Sequence, residues 1–184
     1  AMNDTPTTSR SRSAFARLHP TLQQALFNMR WTELRPLQIE TIHAVLDGQE
    51  DLILSAPTAG GKTEAAFLPI LSQLAEDFAG GVRALYIGPL KALINDQFRR
   101  LEELCALAQI PVHRWHGDIG QAARRALFER PGGVLLITPE SVESLRINYA
   151  HRLPLLLGRL EYVVIDELHA FIGTERGAHL QSLL

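Results

Sequence analysis

The chain has 184 residues, 46% of them hydrophobic, and a formal net charge of −2. That length and apolar share suffice for the core of one domain, and the near-neutral charge excludes a general basic field, so any contact with nucleic acid must be local. A single cysteine, Cys105, excludes an internal disulfide; with no apolar run of membrane-spanning length and no hydrophobic leader, a cytoplasmic protein without membrane contact is expected.

In chain order, residues 1–13 are small and polar and read as a disordered tail, leaving 14–184 as the folded part. A helix pattern (Leu22, Ala25, Leu26, Met29) runs from His19-Pro20 to Arg30, with Trp31 expected to pack against it. Another follows Pro36, with Leu37, Ile39, Ile42, Val45 and Leu46 on one face, and stops at Asp47-Gly48. Strands and helices then alternate. Strands are expected at 51–55, 82–87, 111–115, 133–137 and 160–165, and helices at 62–78, 91–108, 119–129, 139–148 and 151–157. The runs at 82–87 and 133–137 are almost wholly apolar, as when helices cover both faces of a sheet. The fold class is therefore α/β, with a mostly parallel, doubly wound sheet and helices on both faces.

Residues 55–63 read Ser-Ala-Pro-Thr-Ala-Gly-Gly-Lys-Thr between a strand-like run and a helix-like one. A phosphate-binding loop occupies that position, its backbone N–H groups aimed at an anion and backed by a helix N-terminus. Ala59, Gly60 and Gly61 would wrap the phosphates, the two glycines allowing close approach without a Cβ. Lys62 would reach the β- and γ-phosphates, and the Thr63 hydroxyl would ligate Mg²⁺. The chain writes sixteen of its positive charges as Arg and only two as Lys, Lys62 and Lys91, which suits positions needing a compact point charge. The apolar run Tyr162-Val163-Val164-Ile165 leads directly into Asp166-Glu167-Leu168-His169. Asp166 would hold the metal through water, and Glu167 would orient or deprotonate the hydrolytic water. ATP and Mg²⁺ are the expected cofactors. His113, His116 and Cys105 lack paired-ligand spacing and are not read as a metal site.

Asp166-Glu167-Leu168-His169 is a DExH box. With the Ala56-Pro57-Thr58-Ala59-Gly60-Gly61-Lys62-Thr63 loop, the chain resembles the first RecA-like domain of superfamily-2 helicases. Further landmarks fall in the family's order. Thr32-Glu33-Leu34-Arg35-Pro36-Leu37-Gln38 resembles the Q-motif, which implies that Gln38 reads the adenine edge through its amide. Gly88 to Leu93 resembles motif Ia and Thr138-Pro139-Glu140 motif Ib, and Trp115-His116-Gly117-Asp118 falls at a strand-contacting turn between them. The resemblance implies backbone contacts to DNA or RNA through Pro89, Lys91, Gly117, Thr138 and Arg176. Thr138-Pro139-Glu140 is equally a plain helix start, and both readings can hold. His169 falls where the family links the nucleotide site to a Ser-Ala-Thr segment. The wording of several segments, among them Pro89-Leu90-Lys91-Ala92-Leu93 and Gly173-Thr174-Glu175-Arg176-Gly177, is most similar to the large-helicase-related (Lhr-like) branch.

Ala56 stands where the loop pattern has its first glycine, a change the superfamily tolerates. The family's Ser-Ala-Thr motif and second RecA-like domain, with its arginine fingers, are expected beyond Leu184. The resemblance therefore implies a partial first domain with that second domain as its partner, able to bind ATP with little turnover by itself. The competing expectation is a nucleotide-gated binding module that unwinds nothing. A P-loop ATPase of another superfamily fits less well, because the Q-motif precedes the loop.

Overall fold

Prolines open most of the helices in the first part of the chain. In the computed structural model, which describes residues 6–48, 51–56, 61–175 and 178, α1 spans Pro6–Arg17, α2 Pro20–Asn28, α3 Pro36–Asp47 and α4 Lys62–Leu74. Pro20 and Pro36 occupy first-turn positions, where a missing N–H costs nothing. His19 caps α2 by accepting the Thr21 N–H, and its own N–H donates to the Ser72 hydroxyl of α4 at 2.6 Å. The exit of α2 closes with two backbone bonds, Arg30 N–H to Phe27 and Trp31 N–H to Leu26. Arg30 takes the left-handed conformation (φ 59°) that such a closure needs. Leu22, Leu26, Ile39, Ile42, Phe67, Leu68 and Leu71 are buried, and α3 packs along α4. These helices form one compact unit, Ala1–Asp77 with Leu104–Gln109.

Two expectations are corrected in this unit. The tail expected over residues 1–13 is helical from Pro6 onward. Its sequence shows little apolar stripe; among the described side chains it is anchored by buried Ala14 and the following Leu18, together with ion pairs to α3: Arg10 with Glu40 at 2.9 Å and Arg17 with Asp47. The strand expected at 51–55 does not form: residues 51–56 join no ladder, and Ile53 is 85% exposed. An apolar run makes a strand only when a neighbour supplies hydrogen bonds, and among the described residues none does.

The second unit, Phe78–Glu103 with Ile110–Leu184, holds the sheet. Its strands are β1 (Ala84–Ile87), β2 (Val112–Trp115), β3 (Val134–Ile137) and β4 (Tyr162–Ile165), all parallel, in the order β2-β3-β1-β4. Ala84 stands opposite both Val134 and Tyr162, so the two central strands and β4 end level with one another. β1 and β3 are buried along their whole length, as their unbroken apolar sequences require. Between the strands run α5 (Lys91–Cys105), α6 (Gln121–Glu129), α7 (Pro139–Asn148) and α8 (Leu153–Leu157). Leu85, Ile87, Leu135 and Ile137 share a core with Leu127, Val142, Leu145, Leu156 and Phe171. Trp115 meets the rings of Phe128 and Tyr149 edge-on, with centroids 5.7 and 5.5 Å away. Gly133 is obligatory before β3: its φ is +58°, and a Cβ there would lie 2.0 Å from the Pro111 carbonyl oxygen. The remaining strands and helices of the sheet unit lie where the alternation placed them, shortened by a few residues at their ends. Cys105, closing α5, is 1% exposed, and burial pushes its thiol up to about 12.

Candidate nucleotide and strand-contact sites

Helix α4 begins at Lys62 because Gly61, its N-cap, turns the chain through the left-handed region (φ 71°, ψ 34°). Lys62 and Thr63 thereby become the first two residues of the helix, where backbone N–H groups have no partner within it. Against this turn lies Gln38, 2% exposed. Its Oε1 accepts the Arg35 N–H at 2.9 Å, fixing the start of α3. Its Nε2 faces Gly61 so closely that a Cβ on Gly61 would come within 2.9 Å of it. The expected Q-motif glutamine and the phosphate-loop glycine are thus brought together. Ala59 and Gly60, expected to wrap the phosphates, lie outside the described residues, as does Arg176.

In the sheet unit, β4 delivers Asp166 at its end. The Asp166 N–H donates to the Ile87 carbonyl at 2.9 Å, extending the ladder by one bond. Its Oδ1 accepts the Glu167 N–H at 2.8 Å, and its Oδ2 accepts the hydroxyl of Tyr86. Glu167 itself is left-handed (φ 52°, ψ 46°), a conformation that costs a residue with a Cβ about 1–2 kcal/mol. Strain of that order gathers where a side chain must point in one required direction. The Glu167 carboxylate lies 3.2 Å from Nε2 of the exposed His169.

Tyr86 was not among the residues singled out from sequence. A tyrosine inside an otherwise aliphatic central strand does carry a signal, because its buried hydroxyl needs a partner. Burial, and then the hydrogen bond to Asp166, push its ionisation well above the ordinary tyrosine range, so it is a donor at every working pH.

The loop after β1 and the turn after β2 form a second cluster in this unit. Lys91 Nζ lies 2.9 Å from both carboxylate oxygens of Asp118, and Gly117 is exposed directly beside it. The Lys91 partner holds Asp118 below the usual carboxylate range. The turn is braced from below by buried His116, whose Nδ1 accepts the Asp118 N–H while Nε2 pairs with Asn95 Oδ1 at 2.9 Å. That pattern requires the neutral imidazole, and burial pushes the His116 pKa down accordingly. Arg114 donates to the same Asn95 oxygen at 2.8 Å. Of the other expected strand contacts, Pro89 is buried and presents no ring face to solvent. Thr138 is the N-cap of α7 and is 5% exposed, with its hydroxyl donating to Ser141 Oγ at 3.0 Å. This geometry fits the helix-start reading of Thr138-Pro139-Glu140, which can hold together with the strand-contact reading.

The donor chemistry on offer is that of a hard cation. Thr63 and Asp166 carry oxygen donors, and among the described residues no group of three His, Cys, Asp or Glu gathers to form a full ligand cage. Oxygen donors of this kind suit Mg²⁺, which takes one or two protein ligands and completes its shell with phosphate oxygens and water.

A parallel four-stranded sheet flanked by helices is the architecture of a RecA-like domain. The chain belongs to the DEAD/DEAH box helicase family, whose model matches residues 35–184. It is 33% identical over 174 residues, 86% of its length, to the Lhr helicase/probable uracil glycosylase of Mycolicibacterium smegmatis, and covers 11% of that protein. It is 32% identical over 166 residues to the ATP-dependent helicase Lhr-Core of Methanothermobacter thermautotrophicus, covering 82% of this chain and 19% of that one. The solved structure of Mycobacterium smegmatis helicase Lhr bound to ssDNA and AMP-PNP superposes with a TM-score of 0.78 at 32% identity, over 92% of this chain and 23% of that one. The DEAD-box helicase Mss116, bound to ssRNA and UDP-BeF, shares the fold (TM-score 0.81) at 22% identity, over 90% of this chain and 34% of that one. The chain thus spans a fifth or less of the length of these two curated relatives. The Lhr-like resemblance read from the motifs is borne out. Among the described residues no helix is long and apolar enough to cross a membrane.

Proposed function

We propose that the chain is the ATP-binding part of an ATP-dependent helicase or translocase acting on nucleic acid. The observation that carries this reading is the left-handed Gly61 turn, which sets Lys62 and Thr63 at a bare helix N-terminus in a member of the helicase family. In it, the amides of Ala59, Gly60 and Gly61 cradle the phosphates and Lys62 supplies the point charge at the β- and γ-phosphates. Gln38 keeps one Oε1 lone pair and its amide hydrogens for the adenine edge, since the Arg35 N–H takes only one acceptor position. Thr63 and Asp166 hold Mg²⁺, which when bound neutralises charge developing on the phosphates. Glu167 orients the attacking water and accepts its proton. His169, beside Glu167, passes the state of the nucleotide to neighbouring parts of the machine.

Strand contact is assigned to the loops at the ends of the parallel strands, with Lys91 and Gly117 as the exposed members and Pro89, Thr138 and Arg176 completing the set. The Lhr structure containing ssDNA and AMP-PNP supports a single-stranded substrate and an adenine nucleotide. In this reading a second RecA-like domain closes over the nucleotide and supplies the arginine finger. That group is worth about 10³–10⁵ in rate, so the 184 residues alone bind ATP with little turnover.

Lys62→Ala tests the reading. Losing a charged hydrogen-bond partner should weaken ATP and ADP binding by about 1–3 kcal/mol in a calorimetric titration. Unchanged affinity would remove the phosphate-loop assignment, and strand-stimulated phosphate release from these residues alone would remove the need for a second domain.

A further inference from the structure

Asp166 is held at three points, and two of them come from one strand. Its backbone N–H bonds to the Ile87 carbonyl, its Oδ2 to the Tyr86 hydroxyl, and its Oδ1 to the Glu167 N–H. Tyr86 stands opposite Val164 in the ladder, so its ring must lean two residues along the sheet to reach Asp166. The ring is 1% exposed in the middle of a strand buried on both sides, and it has no freedom to swing away. With one lone pair on each oxygen occupied, the carboxylate is left with a single orientation and a remaining lone pair per oxygen to offer.

We propose that Tyr86 is a positioning residue for the metal-holding carboxylate: its hydroxyl locks Asp166 in the rotamer that presents its free lone pairs to Mg²⁺. This rests on the assignment of Asp166 given above. A donor to a ligating carboxylate draws charge from it, which weakens the ligand electronically. The gain lies in orientation, since Mg²⁺ demands near-octahedral geometry and penalises a carboxylate that must be ordered at the moment of binding. A phenol on a central strand suits this task better than a water or a surface side chain, because the strand cannot move without breaking ladders on both sides. The strand also runs straight into the Gly88-Pro89-Leu90-Lys91 loop, and Gly88 N–H bonds to Ile137 at 3.1 Å. The element that aims the carboxylate is therefore continuous with the candidate strand-contact loop.

The test is Tyr86→Phe, which keeps the ring and removes only the hydroxyl. Binding of a fluorescent ADP is titrated against Mg²⁺ in wild type and variant, in parallel with the same titration in EDTA. The expected result is an increase of about tenfold in the Mg²⁺ concentration giving half-maximal enhancement, with metal-free nucleotide affinity unchanged. A buried hydroxyl serving only stability would lower the unfolding midpoint and leave the Mg²⁺ curve in place, and that outcome overturns the proposal. If wild-type nucleotide binding ignores Mg²⁺, the reading of Asp166 fails and this inference with it. If wild type responds to Mg²⁺ and Tyr86→Phe responds identically, the inference alone fails.

Discussion

Replacing Gly61 by alanine probes the turn on which the nucleotide-site reading depends. Holding a residue with a Cβ at φ 71° costs about 1–2 kcal/mol. The new methyl would also lie 2.9 Å from Gln38 Nε2, closer than carbon and nitrogen approach without contact strain. Gln38 is buried and tied to the Arg35 N–H, so moving it endangers a bond worth about 0.5–1.5 kcal/mol. Against these stands the stiffer unfolded chain, which returns about 0.4–1 kcal/mol when glycine becomes alanine. The net expectation is a loss of about 1–2 kcal/mol, read as a drop of about 0.5–1 M in the urea midpoint if the slope is about 2 kcal/mol/M. The double variant with Gln38→Ala refines the test. Without the amide in the way, the alanine should cost only its backbone strain, giving a coupling of about 1 kcal/mol between the two sites. A loss below about 0.5 kcal/mol for Gly61→Ala, or strict additivity with Gln38→Ala, would refute the geometry described for this turn.

Two other expectations concern charge. Asp118 occupies Lys91 through both of its carboxylate oxygens, so Asp118→Asn should free the ammonium and tighten binding of a labelled single-stranded oligonucleotide several-fold at low salt, measured by anisotropy. Lys91→Ala should weaken binding and lower the salt slope by about 0.7; unchanged affinity in both would detach Lys91 from the strand path. The second concerns pH. Burial lowers the pKa of His113 and of His116 in the folded protein, so protons bind the unfolded chain first. Stability should therefore be level above about 6.5, the ordinary histidine value, and fall as pH drops below it toward the depressed folded values. His113→Gln should flatten that fall in urea midpoints taken at pH 7.5 and 5.5, and a rise in stability on acidification through this window would contradict it.

The parts of the fold legible in the sequence were those fixed by local pattern. Wholly apolar runs identified β1 and β3, and Pro139 after Thr138 marked the start of α7 to the residue. The Gly-Gly-Lys-Thr run announced a helix beginning at Lys62. Where sequence reading fell short, the missing information was a partner distant in the chain. Residues 51–55 have strand composition but no neighbour to pair with among the described residues, whereas polar α1 is anchored through buried Ala14 and Leu18 and ion pairs to Glu40 and Asp47. Lys91 and Asp118 were both visible, yet nothing local says that one neutralises the other across 27 positions. Tyr86 and Asp166, 80 positions apart, meet only because β1 and β4 are adjacent in the sheet.

The burial of Cys105 has a practical consequence. A thiol with its pKa near 12 and almost no exposed surface is inert to alkylating reagents at neutral pH. Every molecule carries this one thiol and no other, so its modification is a clean binary event. Labelling can then proceed only through transient openings that uncover the end of α5. At low reagent the rate multiplies the opening equilibrium by the intrinsic thiol reactivity, so a reagent series converts that single atom into a clock for native-state fluctuations. The same series repeated with nucleotide would report, without any engineered probe, whether a ligand at the N-terminus of α4 quiets the end of α5.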